Sequence, residues 1–318
     1  MPQLTPAGAR VINPVLSAVA QGYKQLDFIG GKLFPSIGVG ARAGNIITFG
    51  REDFMLYASQ RAPGENTKRV AFGYSGGPFA LVDYSLEGQL PIEIQQEAET
   101  PANGFSIDMA KLSIDKVQAI MALRLEKAQA DLARTAATYQ AANKVTLSGT
   151  SQWSDLTSGV SDPIKDVEAA KEAIRQATGK RPNVMAFGPA TLRYLRQHPK
   201  IIDRIKYTGR DIPTLAILAD LFGVAEVVVG EAIYSNDAGT AFTDVWGKDV
   251  VLAYSETAAL AQMGTPSYGY TYNLGGYPVV EQPYYDRSTK SWIFPVTRAE
   301  APVIAGATAG YLITNAVA

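Results

Sequence analysis

From about Ser106 to Asn143 the chain runs without glycine or proline, and apolar residues return at Ile114, Val117, Ile120, Met121, Leu125 and Leu132. That spacing of three and four predicts one helix over 106–143, with Pro101 and Gly104 stopping it upstream and Gly149 beyond its end. Such a helix would run roughly 50 Å, longer than a globular core usually needs. Its apolar positions do not hold a heptad, and its alanine-rich faces suit packing under a sheet better than a coiled coil.

Other stretches carry different periods. Alternation at Ile47 and Phe49 and again at Phe79 and Leu81, around the turn RAPGEN at 61–66, predicts a long β-hairpin over 45–90 that projects from the body. Residues 161–230 read as compact α/β. A helix opens at Asp162 and Pro163 and stops at Gly179. A strand at 183–187, a helix from Pro189 to Gln197, a helix at 213–222 ended by Gly223 and a second strand at AEVVVG follow. The remainder is β-rich: VVLAYS, YGYTYN with Tyr268, Tyr270 and Tyr272 on one face, SWIFPV after the turn DRSTKS, and a last strand in GYLITNAVA. Residues 1–40, punctuated by Pro2, Pro6, Pro14, Pro35 and six glycines, allow one short helix near Val15–Tyr23 and read as an arm lying over another surface.

Composition narrows the chemistry. The 318 residues hold 29 basic and 30 acidic side chains and one histidine, a net charge of −1, which argues against a dedicated nucleic-acid binder. The absence of cysteine rules out disulfides, thiolate metal sites and cysteine nucleophiles. No run of 18 apolar residues offers a membrane span, and the first 25 residues lack the pattern of a signal peptide.

Few motifs survive their structural context. GYSGG at 73–77 matches a nucleophile elbow, and with His198 it allows a remote serine-esterase reading on Ser75; but Pro78 and FALVDYSLEG follow where a helix is needed. GVGARA at 38–43 matches a dinucleotide fingerprint yet precedes a strand. Glu87, Glu93, Glu97 and Glu99 read as a solvated strand edge. His198 sits in RYLRQHPKIIDRIKYTGR, where it ends a helix and stands to gain from the helix dipole. Around it, Arg193, Arg196, Lys200, Arg204 and Lys206 allow a phosphate-binding patch but read more readily as a polar surface between subunits. No cofactor and no metal site is expected.

The order of arm, hairpin, long helix, α/β lobe and returning strands resembles the tailed-bacteriophage major capsid proteins, with their Hong Kong 97-type fold. The resemblance rests on FGREDFMLYASQRAPGE, on QWSDLTSGV through DRIKYT (152–208), on LADLFGVAEVVVGEAIY, on VWGKDVVLAYS and on GYLITNAVA, and it spans nearly the whole chain. It implies an α+β chain with an N-terminal arm at 1–40, an extended loop at 41–91 and a peripheral domain at 92–160 carrying the spine helix. An axial domain at 161–265, peripheral strands at 266–300 and a return to the axial domain at 301–318 would follow. It implies self-assembly into hexamers and pentamers of an icosahedral head around double-stranded DNA, made in the bacterial host cytoplasm and ending in the virion. Implied partners are further copies, a portal protein, non-specific DNA contact and no membrane. A chain starting at Met1 without a long helical leader implies a separate scaffolding protein or none; a decoration protein is a further option. Contacts between subunits are expected at Arg61, Glu65, Asn66 and Lys68 near the hairpin tip and at the five basic residues near His198. An encapsulin-like shell around a protein cargo is the close alternative, because it shares the fold.

Overall fold

The computed structural model describes residues 28–45, 60, 66, 77–99, 108–206, 213–235, 239–256 and 267–318. Where the described chain begins it is already part of the body. A short helix α1 (Gly30–Leu33) leads into strand β1 (Ser36–Val39), and Leu33 and Phe34 are fully buried. Residues 28–40 were read as part of an arm lying over another surface. Within them Ile29, Gly30, Leu33 and Phe34 are buried in this chain's own body, and Gly30 lets the main chain press onto the long helix: a Cβ there would stand 2.0 Å from Gln129 Oε1.

Next come strands β2 (Ala43–Asn45) and β3 (Pro78–Ala80), which pair antiparallel as the base of a hairpin. The rest of the expected hairpin, including Arg61, Glu65 and Lys68, lies outside the described residues; Asn66 is described and exposed. Strand β4 (Val82–Pro91) was read as part of the projecting hairpin but belongs to the body. It runs antiparallel to a 14-residue strand near the C-terminus from Val82↔Glu300 to Pro91↔Ser291. Helix α2 (Ile92–Glu99) follows, so Glu93 is on a helix and only Glu87 is on the strand edge.

The long helix α3 (Met109–Arg134) is shorter than the expected 106–143 and spans about 39 Å at the usual rise per residue. Asp108 caps it by accepting from Lys111 N at 3.0 Å. It stops because Thr135 turns extended and Tyr139 folds back, donating its hydroxyl to Ala133 O. Strand β5 (Lys144–Thr146) follows two short 3₁₀ turns.

The α/β lobe matches the local signals closely. Helix α4 (Pro163–Thr178) has Asp162 accepting from Lys165 N, proline in its first turn and Gly179 at φ 68° as its stop. Strand β6 (Val184–Phe187), helix α5 (Pro189–Gln197) and helix α6 (Pro199–Ile205) come next. Helix α7 (Leu215–Phe222), ended by Gly223 at φ 62°, leads to strand β7 (Glu226–Val229). A small hairpin of β8 (Ile233–Ser235) and β9 (Phe242–Asp244) precedes β10 (Val250–Ala253). The closing strands are β11 (Gly269–Leu274), β12 (Val279–Val280), β13 (Tyr284–Asp286), β14 (Ser291–Ile304) and β15 (Gly310–Thr314). The turn after β13 therefore joins a short strand to a long one. Tyr268 does not share the face of Tyr270 and Tyr272: it lies ahead of β11, fully buried against Phe34.

Two sheets result. One has the order β1-β11-β14-β12, with β13 and β4 also paired to β14; the other has the order β5-β15-β10-β6-β7. Strand β5 thus joins the α/β lobe, although residues 92–160 were expected to group with the long helix. Trp153 follows it, fully buried in the lobe's core with Val167, Ile174, Phe187 and Leu195. Helix α3 spans both sheets. Its first half packs Ile114, Val117 and Met121 on Leu90, Phe294 and Val296. Its second half packs Ala130 and Ala133 on the opposite face of the second sheet, with Ala186, Val251 and Leu312. Small residues there let helix and sheet approach closely.

Candidate assembly surfaces

The basic segment is built by two helices meeting at His198, which follows α5 and caps α6: Ile201 N and Ile202 N both donate to its carbonyl at 3.0 Å. Leu192, Leu195, Ile201 and Ile205 point into the core, so the intervening residues must face out. Arg193, Arg196, Arg204 and Lys206 are exposed and Lys200 is half-buried. The five are not one free patch. Lys200 reaches Asp162 Oδ2 at 3.0 Å, Lys206 reaches Asp203 at 2.9 Å, and the Arg193 guanidinium lies 4.9 Å from the Tyr194 ring. Ile202, 41% exposed, is an apolar residue set among them.

His198 ends α5, as its place before Pro199 predicted, and it is buried. Its Nε2 lies 3.1 Å from Ser161 Oγ. Burial and the nearby Lys200 push its pKa below the ordinary value, against the opposing pull of Asp162. Ser75 lies outside the described residues, and the partner the fold gives His198 is Ser161.

Sequence reasoning missed the polar seam between the sheets. Glu126, 1% exposed at mid-helix, accepts from Ile29 N at 3.0 Å, Gly30 N at 2.9 Å and Trp246 Nε1 at 2.6 Å. Burial raises its pKa although all three hydrogen bonds favour the anion. One turn on, Gln129 donates to Thr271 Oγ1, which in turn donates to Phe34 O. Nearer the helix start, Gln118 accepts from Arg298, and Arg124 both pairs with Glu300 and lies over the Tyr84 ring at 3.2 Å. At the root of the hairpin Arg42 pairs with Asp83 at 2.7 Å. These groups fasten the first described residues and the six-stranded sheet to one helix, while Arg42 ties the hairpin base to β4. The only available signal was polar residues at inward-facing helical positions.

Among the described residues, no group of three His, Cys, Asp or Glu is arranged to hold a metal ion, and no helix is long and apolar enough to cross a membrane. Two sheets tied by one long helix, with a hairpin rooted at their side, form the Hong Kong 97-like fold of shell-building proteins. A cyanophage P-SCSP1u capsid chain shows the same fold at 11% identity, with a TM-score of 0.56 over 90% of this chain and 88% of that one. Closer relatives settle the family. The model for phage major capsid protein E matches residues 116–301, and the major capsid protein of Burkholderia phage BcepMu is 37% identical over 96% of this chain and 97% of its own. A phage-related protein from Bordetella bronchiseptica RB50 superposes with a TM-score of 0.81 at 42% identity, covering 97% of this chain and 98% of that one. The chain belongs to the phage major capsid protein E family, and its function is structural, as the subunit of a phage capsid shell.

Proposed function

We propose that copies of this chain associate into hexamers and pentamers and close into an icosahedral head around packaged double-stranded DNA, in the host cytoplasm. The observation that carries this reading is the near end-to-end relation to a phage major capsid protein. The five-stranded sheet with α4 to α7 would form the axial domain around the capsomer centres. The six-stranded sheet with the first half of α3 would form the peripheral domain. Residues up to 27 would serve as the arm, and the loop rooted at β2 and β3 would reach over a neighbour, bringing Arg61, Glu65, Asn66 and Lys68 into contact with it. Arg193, Arg196, Lys200, Arg204 and Lys206 would serve as a polar contact surface. A portal protein, scaffolding and decoration proteins, and salt-sensitive DNA contact are the partners of such a shell. The role asks no catalysis of any residue; strength comes from many heterologous contacts that close on themselves.

Light scattering and negative-stain imaging of the purified chain test the reading. Capsomer rings or megadalton polyhedral particles are expected. A species that stays at 34.0 kDa even with co-expressed phage assembly factors refutes it. Deleting residues 61–68 should leave the subunit folded and impair particle formation, since residues 60 and 66 are exposed and loop tips of that kind tolerate change. Equally robust particles would remove the loop from the assembly.

A further inference from the structure

The most exposed large apolar side chain among the described residues is Phe242, at 70%, on a hairpin with no place in either large sheet. The register pairs Ile233 with Asp244 and Ser235 with Phe242, so Ile233, itself 51% exposed, shares Phe242's face and stands diagonally beside it. The opposite face is anchored. Tyr234 packs into the core with Lys127 4.9 Å from its ring, Val245 N donates to Ala232 O at 2.9 Å, and Trp246 is held by Glu126. Phe242 and Ile233 thus form a knob on a fixed mount.

A matching recess lies elsewhere. Ala169, Ala173 and Ala177, successive i, i+4 positions of α4, and Ala142 line a groove of about 800 Å³ with Glu172 and Arg175 beside it. The groove borders Gln140 to Asn143, the turn leading into β5, an edge strand of the five-stranded sheet; the knob follows β7, the strand at the other edge. Four strand spacings separate those edges by about 19 Å, so one chain's knob cannot fill its own groove.

We propose that the Phe242–Ile233 knob of one subunit docks in the Ala169–Ala173–Ala177 groove of the next copy around a capsomer. The proposal rests on the shell reading and gives it a specific contact. Two different patches on opposite edges make a heterologous contact, and repeating it by rotation closes a ring, whereas knob-to-knob pairing would stop at a dimer and leave every groove open. An aromatic anchor entering a small-residue pocket is the kind of contact that dominates interface energetics.

The chain has no cysteine of its own, so cross-linking reads the contact directly. Carrying Phe242→Cys and Ala169→Cys together and oxidised after assembly, the protein should give a ladder of covalent oligomers ending at five and six chains. A mixture of the two single variants should give dimers, and either single variant alone should give none. Phe242→Asp should raise the concentration needed for ring formation about tenfold or more. If the wild type and the cysteine pair both form shells but the pair does not link, or Phe242→Asp assembles as the wild type does, the contact is wrong and the shell reading stands. If no chain, wild type included, forms rings or shells, both readings fall.

Discussion

Replacing Glu126 tests whether the carboxylate, and not apolar packing alone, fastens the start of the described chain to the helix. Glu126→Ala strands three buried donors, the amides of Ile29 and Gly30 and the Trp246 indole, and leaves a void. An orphaned buried donor costs about 1–3 kcal/mol, and part of that sum returns because a buried charge disappears, so a net loss of about 3–6 kcal/mol is expected. Glu126→Gln keeps the shape, but Oε1 serves Ile29 and Trp246 while Oε2 serves Gly30, so its NH₂ must face at least one donor. That milder change should cost about 1–3 kcal/mol. Hydrogen exchange read at the amides of Ile29 and Gly30 localises the effect: a loss of 2 kcal/mol speeds exchange roughly thirtyfold if those amides open locally. The raised folded pKa fixes the sign of the pH dependence. Above the ordinary carboxylate value the folded wild type holds a proton more tightly than the unfolded chain, so this group's contribution falls as pH rises through the raised value. Unchanged exchange at both amides in Glu126→Ala would refute the fastening role and leave apolar contacts of Leu33 and Phe34 as its whole basis.

Three further outcomes are expected. His198 has a folded pKa below the unfolded 6.5, so its share of stability is present above that value and is lost as pH falls through the lowered one; urea midpoints between about pH 7 and 5 should show this slope, and His198→Gln should lack it. Gly188→Ala would set a Cβ 2.2 Å from the backbone oxygen of Gly247 and should lower stability by about 1–3 kcal/mol in calorimetry; a neutral result would mean that the two loops are not in contact. Arg196 and Arg204 are exposed, so joint replacement by Glu should leave subunit unfolding within about 0.5 kcal/mol while changing the salt dependence of assembly measured by light scattering; an unaltered salt profile would remove both from the contact surface.

What the sequence alone determined is what is decided locally. Asp162, Pro163 and Gly179 bound α4, and Gly223 stops α7, because caps and left-handed stops act within one turn and need no distant partner. The order of those segments, together with stretches such as 152–208, also carried the resemblance to the capsid family. Only tertiary structure decided the rest. That α3 ends at Arg134 reflects Tyr139 folding back toward Tyr268, 129 residues away. That Gly30, Leu33 and Phe34 are buried reflects a carboxylate 96 residues on from Gly30, and that β4 belongs to the body reflects its pairing with β14 about 200 residues later. Glu126 looked like any charged helical position, since its three donors come from two segments remote in sequence. His198 gave no sign that its partner was Ser161. The knob and groove show the same divide. Phe242 and three alanines at helical spacing are visible in the sequence, but their places beside opposite edges of the five-stranded sheet follow from strand order, which depends on pairings far apart along the chain.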